Sequence, residues 1–129
     1  MSIFLKIING EIPCHKIAED ENHLAFLDIM PLKKGHVLVI PKKPIDYIFD
    51  MDSDDYTALH LFAHSVAKAI KQAIECRKVG VVVIGLEVPH AHIHLIPITH
   101  VSDIDFSKEK LKPTTDELAE TAALIRQNF

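Results

Sequence analysis

Residues 88–97 read Val88-Pro89-His90-Ala91-His92-Ile93-His94-Leu95-Ile96-Pro97, with histidines at a period of two and apolar residues between them. A period of two is that of a β-strand, in which alternate side chains leave the same face. The pattern predicts a strand that holds its imidazoles on one face at intervals of roughly 6.5–7 Å. Ala91, Ile93 and Leu95 then point the other way and need a second layer to bury them. The fold must supply that layer, and the opposite face must make use of a row of titratable bases on a rigid support.

The second layer is legible as helix. From Asp54 to about Cys76, the residues Leu59, Phe62, Ala63, Val66, Ala69, Ile70, Ala73 and Ile74 recur at helical spacing. Ser53 is the expected N-cap, with Asp54 and Asp55 in the first turn, where the helix dipole favours negative charge. A short helix is expected over residues 2–8, capped by Ser2 and stopped by Asn9-Gly10. A last helix begins with Thr115 or Asp116 as its cap and carries Leu118, Ala122 and Ile125 on one stripe.

Further strands are expected over residues 12–18, 23–29, 36–40 and 80–86, with Glu19-Asp20-Glu21-Asn22 turning the first hairpin and Pro41 ending the third strand. Residues 42–51 read as loop with a turn or two of helix, and residues 98–112 as irregular. The β-branched run from Val81 to Ile84 suggests a strand buried on both faces or at a subunit junction. Short links between strands and the lack of βαβ alternation predict an α+β fold with an antiparallel sheet.

Composition narrows the function. At 129 residues, the chain is read as one domain, 1–129, with its motifs in about 2–97 and a helical extension over about 98–129. A formal net charge of −4 and no basic run argue against binding nucleic acid. Cys14 and Cys76 stand far apart without CxxC spacing and are read as ordinary reduced thiols. No apolar run is long enough to span a membrane, and the opening residues lack a secretory pattern, so a cytoplasmic protein without membrane association is expected.

Three kinds of chemistry suit the histidine row. Neutral imidazoles two apart on a strand can share a zinc or similar ion, as in a metal-dependent hydrolase. Alternatively, one histidine attacks phosphorus while its neighbours donate hydrogen bonds to the phosphoryl oxygens. In the third reading, the row binds an anion with little or no catalysis. His36, which follows Gly35 at the start of a strand, offers a fourth imidazole. His60 and His64 share a helix face but lack an intervening carboxylate, and His15, His23 and His100 fall in no pattern; all five are read as structural or surface residues.

The motif His90-Ala-His92-Ile-His94-Leu-Ile resembles the signature of the histidine triad (HIT) nucleotide-binding proteins, close to the nucleoside phosphoramidase branch. The resemblance extends through Ile3-Phe4, Lys6-Ile7-Ile8, Glu11-Ile12-Pro13, Glu19-Asp20, Leu24-Ala25-Phe26, Asp28-Ile29, Pro31, and His36 with Leu38-Val39-Ile40-Pro41-Lys42. It implies a HIT-like fold of about five antiparallel strands, a homodimer with one continuous sheet, and a purine nucleotide over the triad. By that resemblance, His92 attacks the α-phosphorus of a nucleoside phosphoramidate or related nucleotide and forms a nucleotidyl-histidine that is hydrolysed or transferred. His94 and His36 contact phosphoryl oxygens and the leaving group, and His90 orients His92 and assists proton transfer. Asp28 holds the ribose hydroxyls, while Ile3, Phe4, Ile7, Phe26, Leu27 and Ile29 wall the base. No cofactor or metal is expected.

An imidazole with an ordinary pKa of about 6.5 is nucleophilic when neutral and stabilises phosphoryl charge when protonated, so a cluster can divide these roles. Two departures from the family pattern stand out. Where many relatives carry Cys-x-x-Cys, this chain reads Ser2-Ile-Phe-Leu5, so the structural zinc of those relatives is not expected. Leu86 and Glu87 follow Gly85 where polar donors are usual, and Glu87 would repel phosphate if it faces the site.

Overall fold

In the computed structural model, which describes residues 2–129, five strands form one antiparallel sheet in the order β1-β2-β3-β5-β4. The strands are β1 Lys16–Glu19, β2 His23–Leu27, β3 Val37–Pro41, β4 Lys78–Val82 and β5 Ile93–Ile98. Helix α1 spans Ile3–Ile8, α2 Ser53–Ala73 and α3 Thr115–Arg126, with 3-10 turns at Ile48–Asp50 and Val101–Asp103. The expected α+β architecture is therefore present, including the long helix and the two shorter ones.

The period-two patterns sort the two faces of the sheet. Ala25 and Leu27 of β2, Val37 and Val39 of β3, and Ile93 and Leu95 of β5 enter one apolar cluster, which Leu59, Val66 and Ile70 of α2 and Ile125 of α3 complete. Leu24, Phe26, Leu38 and Ile40 face the other way and are covered by Phe4 of α1. The cross-strand register aligns Phe26 with Leu38 and Leu38 with His94, so the apolar patch on this second face leads directly to the triad. One sheet thus packs a helix layer behind and displays the histidines in front.

Several boundaries differ from the sequence reading. Asp52, not Ser53, caps α2 by accepting the Asp55 N–H, and Ser53 is the first helical residue. Either side chain has the oxygen that a cap needs; the extended backbone at Asp52 decides which one serves. Thr114, not Thr115 or Asp116, caps α3 in a reciprocal capping box with Glu117. The fourth strand occupies Lys78–Val82 rather than 80–86 and lies at the sheet edge, where Val81 remains 62% exposed. Its β-branched residues are thus not buried on both faces by this chain.

Strand β5 begins at Ile93, so His90 and His92 stand in the extended segment that leads into it rather than in the ladder itself. The alternation nevertheless holds, because Ala91 already packs in the helix-side cluster. On the other side of the site, Gly35 sets the start of β3. Its φ of +90° is in the left-handed region, and an added Cβ would lie 2.8 Å from Ile74 Cγ1. Only glycine meets both conditions, and the turn delivers His36 to the triad face.

Candidate active site

The site is assembled from β5 and its approach, the start of β3, the residue after β2, and α1. His36, His90, His92 and His94 are all buried, and three of the rings form a contiguous row: His92 and His94 have centroids 4.9 Å apart, and His36 and His94 5.2 Å. Phe4 packs edge-on against His92 at 5.0 Å and His90 at 6.0 Å. The sequence-expected fourth imidazole therefore joins the three.

Backbone groups fix the tautomer of each ring. A carbonyl can only accept, so His92 Nδ1–H donates to the His90 carbonyl oxygen at 2.7 Å, which leaves Nε2 as the lone-pair nitrogen of the neutral ring. His90 Nε2–H donates to the Pro41 carbonyl oxygen at 2.7 Å, and its Nδ1 lies 3.4 Å from the Ser2 hydroxyl. At His36 the sense is reversed, because the Leu32 N–H donates to Nδ1 at 3.1 Å. Its proton is therefore on Nε2, which donates to His94 Nδ1 at 2.9 Å. His94 in turn carries its proton on Nε2.

Burial keeps this relay neutral. Desolvation lowers the His36 pKa to about 3, reinforced by the nearby His94, and lowers that of His94 to about 4, reinforced by His92. His90 is also held below the ordinary imidazole value, chiefly by burial. Of the two protonation states open to such a cluster, His36 and His94 therefore take the neutral one. They serve as neutral N–H donors near pH 7.

Asp28 lies just beyond β2, with Oδ2 3.7 Å from His36 Nε2 and Oδ1 accepting the Met30 N–H at 2.9 Å. Burial raises its pKa above the usual carboxylate value, and the Met30 bond works against that rise. Asp28, His36 and His94 offer ligand atoms within 4.8 Å of one another, a spacing that could hold a metal ion. An imidazole that binds metal through Nε2 carries its proton on Nδ1. At His36 that proton would face the Leu32 N–H, donor against donor, so the group does not fit a metal without losing a buried bond worth about 1–3 kcal/mol.

The remaining expected residues divide. Phe4 and Phe26 form the apolar patch with Ile7 at its edge, while Ile3 and Ile29 are 50% and 62% exposed beside it. Leu27 is a correction: its side chain packs in the α2-side cluster, because it is one residue out of phase with Phe26. His90 orients His92 through its main-chain carbonyl rather than its ring. His23 is structural, stacked on Phe62 at 5.1 Å and bonded to Asp20. His60 stacks on Tyr56 at 4.2 Å, away from the triad residues.

Sequence reading missed Ser2 as a partner of His90, the Leu32 N–H and Pro41 carbonyl that set tautomers, and Phe106. The Phe106 ring lies edge-on to His94 at 4.9 Å. Its one signal is that it is the sole aromatic residue in the polar stretch 98–112.

A five-stranded antiparallel sheet carrying a His-x-His-x-His row beside a fourth histidine is the architecture of a histidine triad protein. The HIT domain model matches residues 9–101, and this chain belongs to that family. It is 43% identical over 108 residues to a HIT-like protein of Methanocaldococcus jannaschii, covering 75% of this chain and 78% of that one. It is 38% identical over 96 residues to an adenosine 5'-monophosphoramidase of Schizosaccharomyces pombe, covering 74% and 72% of the two chains. A crystal structure of a HIT-like protein from Bartonella henselae superposes with a TM-score of 0.87 at 32% identity, covering 99% and 96% of the two chains. No helix among the described residues is long and apolar enough to cross a membrane.

The neutral relay has a pH signature. Because the folded pKa values of His36 and His94 lie below the unfolded value of about 6.5, the unfolded chain binds protons first as pH falls. Stability present above about pH 6.5 is then lost progressively as pH falls through about 4 for His94 and about 3 for His36. In an NMR titration of the folded protein, the ring resonances of His36 and His94 should stay in their neutral positions from pH 7.5 to about 5. Midpoints near 6.5 for both would contradict the relay.

Proposed function

We propose that this protein is a nucleotide hydrolase or nucleotidyl transferase of the nucleoside phosphoramidase kind, acting at the α-phosphorus of a purine nucleotide through His92. The observation that carries the reading is the 2.7 Å bond from His92 Nδ1 to the His90 carbonyl. It leaves the lone pair of the neutral ring on Nε2 and gives the imidazolium formed on attack an acceptor for its remaining proton.

In the proposed step, His92 Nε2 forms a bond to phosphorus as the bond from phosphorus to the leaving nitrogen or oxygen breaks. The His94 Nε2–H, fixed by the His36 relay, can donate to a phosphoryl oxygen or to the departing group. Water or another acceptor then displaces His92 and releases the nucleotide. Asp28 would accept hydrogen bonds from the ribose hydroxyls, and Phe4, Phe26, Ile3, Ile7 and Ile29 would flank the base. The similarity to an adenosine 5'-monophosphoramidase of Schizosaccharomyces pombe supports this choice over simple anion binding.

His92→Ala should lower turnover of an adenosine phosphoramidate by at least about a thousandfold, because covalent catalysis is lost with its nucleophile. Full activity in that variant would refute the mechanism. The metal-dependent reading draws support from the clustered Asp28, His36 and His94, but the His36 tautomer opposes it. Exhaustive chelation should therefore leave the wild-type rate unchanged; activity lost to chelator and restored by zinc would establish the metal instead.

We further propose that the functional unit is a homodimer joined through β4. That edge strand and the residues after it expose Val81, Val83 and Ile84 at 62%, 38% and 47%. Pairing with a second copy would cover them and continue the sheet. Sedimentation should show a dimer, and Val81→Lys should shift it towards monomer; a wild-type monomer at micromolar concentration would refute the pairing.

A further inference from the structure

The segment between the Val101–Asp103 turn and α3 folds back over the phosphoryl end of the candidate site. The Leu111 N–H donates to the Pro31 carbonyl at 2.9 Å, which ties this strap to the connection between Asp28 and His36. Phe106 rests edge-on against His94 at 4.9 Å and against His36 at 6.4 Å. Lys110 Nζ lies 5.8 Å from the centre of the Phe106 ring and donates to the carbonyls of Phe106 and, at 3.1 Å, Lys108. An ammonium has three N–H donors, so one remains free after those two bonds.

The charge balance of the site gives that donor a purpose. His36 and His94 are neutral near pH 7, and His90 is held towards neutrality by burial. The Asp28 carboxyl, 3.7 Å from His36 Nε2, acts against an incoming phosphate when it is ionised. The Lys110 ammonium stands over the ring that packs on His94, and its charge favours the ionised form of Asp28 and disfavours protonation of His36. A phosphoryl group entering this cleft needs a fixed cation more than it needs further neutral donors.

We propose that Lys110 is a phosphate-binding residue of this site, its ammonium held by the Phe106 and Lys108 carbonyls and donating its free N–H to a non-bridging oxygen on the α-phosphorus. The proposal rests on the nucleotide reading given above and assigns to the strap a role that the four histidines do not fill. Phe106 acts as the positioning residue, pinning the strap against His94. The cation recognises the phosphate and not the nucleoside.

That division supplies the test. Wild-type, Lys110→Met, Lys110→Gln and Lys110→Arg proteins are titrated calorimetrically with AMP and, separately, with adenosine. The quantity read is the ratio of the two affinities. Loss of a charge-assisted hydrogen bond should lower that ratio by about tenfold or more in the Met and Gln variants. Adenosine affinity should stay within about twofold of wild type, and Arg should restore most of the ratio. With a phosphoramidate substrate, KM should rise in the neutral variants.

A ratio unchanged in both neutral variants overturns the proposal while leaving the nucleotide reading intact. Equal weakening of AMP and adenosine also overturns it, since a merely structural lysine would behave in that way. A wild-type protein that binds neither ligand overturns the nucleotide reading and this proposal together.

Discussion

The hydrogen bond from His92 Nδ1 to the carbonyl of His90 is the contact on which the proposed chemistry of this site depends. A neutral imidazole has one donor and one acceptor nitrogen, and nothing in its covalent structure decides between them. The main chain decides here, because the carbonyl lies on the residue two positions earlier in the same extended segment. The bond length of 2.7 Å and the burial of both residues leave little freedom for the ring to turn over. Chain geometry thus orients the candidate nucleophile.

The other histidines obey the same logic with different signs. Pro41, at the end of β3, offers a carbonyl and so protonates His90 at Nε2; Leu32, before β3, offers an N–H and so protonates His36 at Nε2. That choice passes to His94 through the 2.9 Å ring-to-ring bond. Burial keeps His36 and His94 uncharged, which preserves the directionality of the relay. The fold sustains these contacts because Gly35 turns the chain tightly enough to bring His36 beside His94.

Much of this was legible in the sequence because it follows from period. The alternation through His90, His92 and His94 foretold which residues face the helices, and the stripe from Leu59 to Ile74 foretold what covers them. Phe4 packs on His92 and on Phe26, and Asp28 and His36 lie beside one another and His94, so these residues share the triad face. Leu27 does not, because a strand turns adjacent residues to opposite faces and a list of neighbouring positions ignores that. The protonation states of His36 and His94 were not legible, since burial and hydrogen-bond direction belong to the assembled site. The strap was also opaque: Phe106 and Lys110 sit in an irregular segment whose path is set by tertiary contacts such as that of Leu111 with Pro31.

The Asp28 carboxyl beside His36 and the Lys110 ammonium over Phe106 place opposite charges next to the neutral His36 and His94. The most direct measurement is to quench the reaction of a purine nucleoside phosphoramidate during turnover and locate the phosphorus by mass spectrometry and nitrogen–phosphorus NMR coupling. The account predicts a nucleoside monophosphate attached to His92 at Nε2. An adduct on another residue, attachment at Nδ1, or turnover without any protein-bound nucleotide would contradict it.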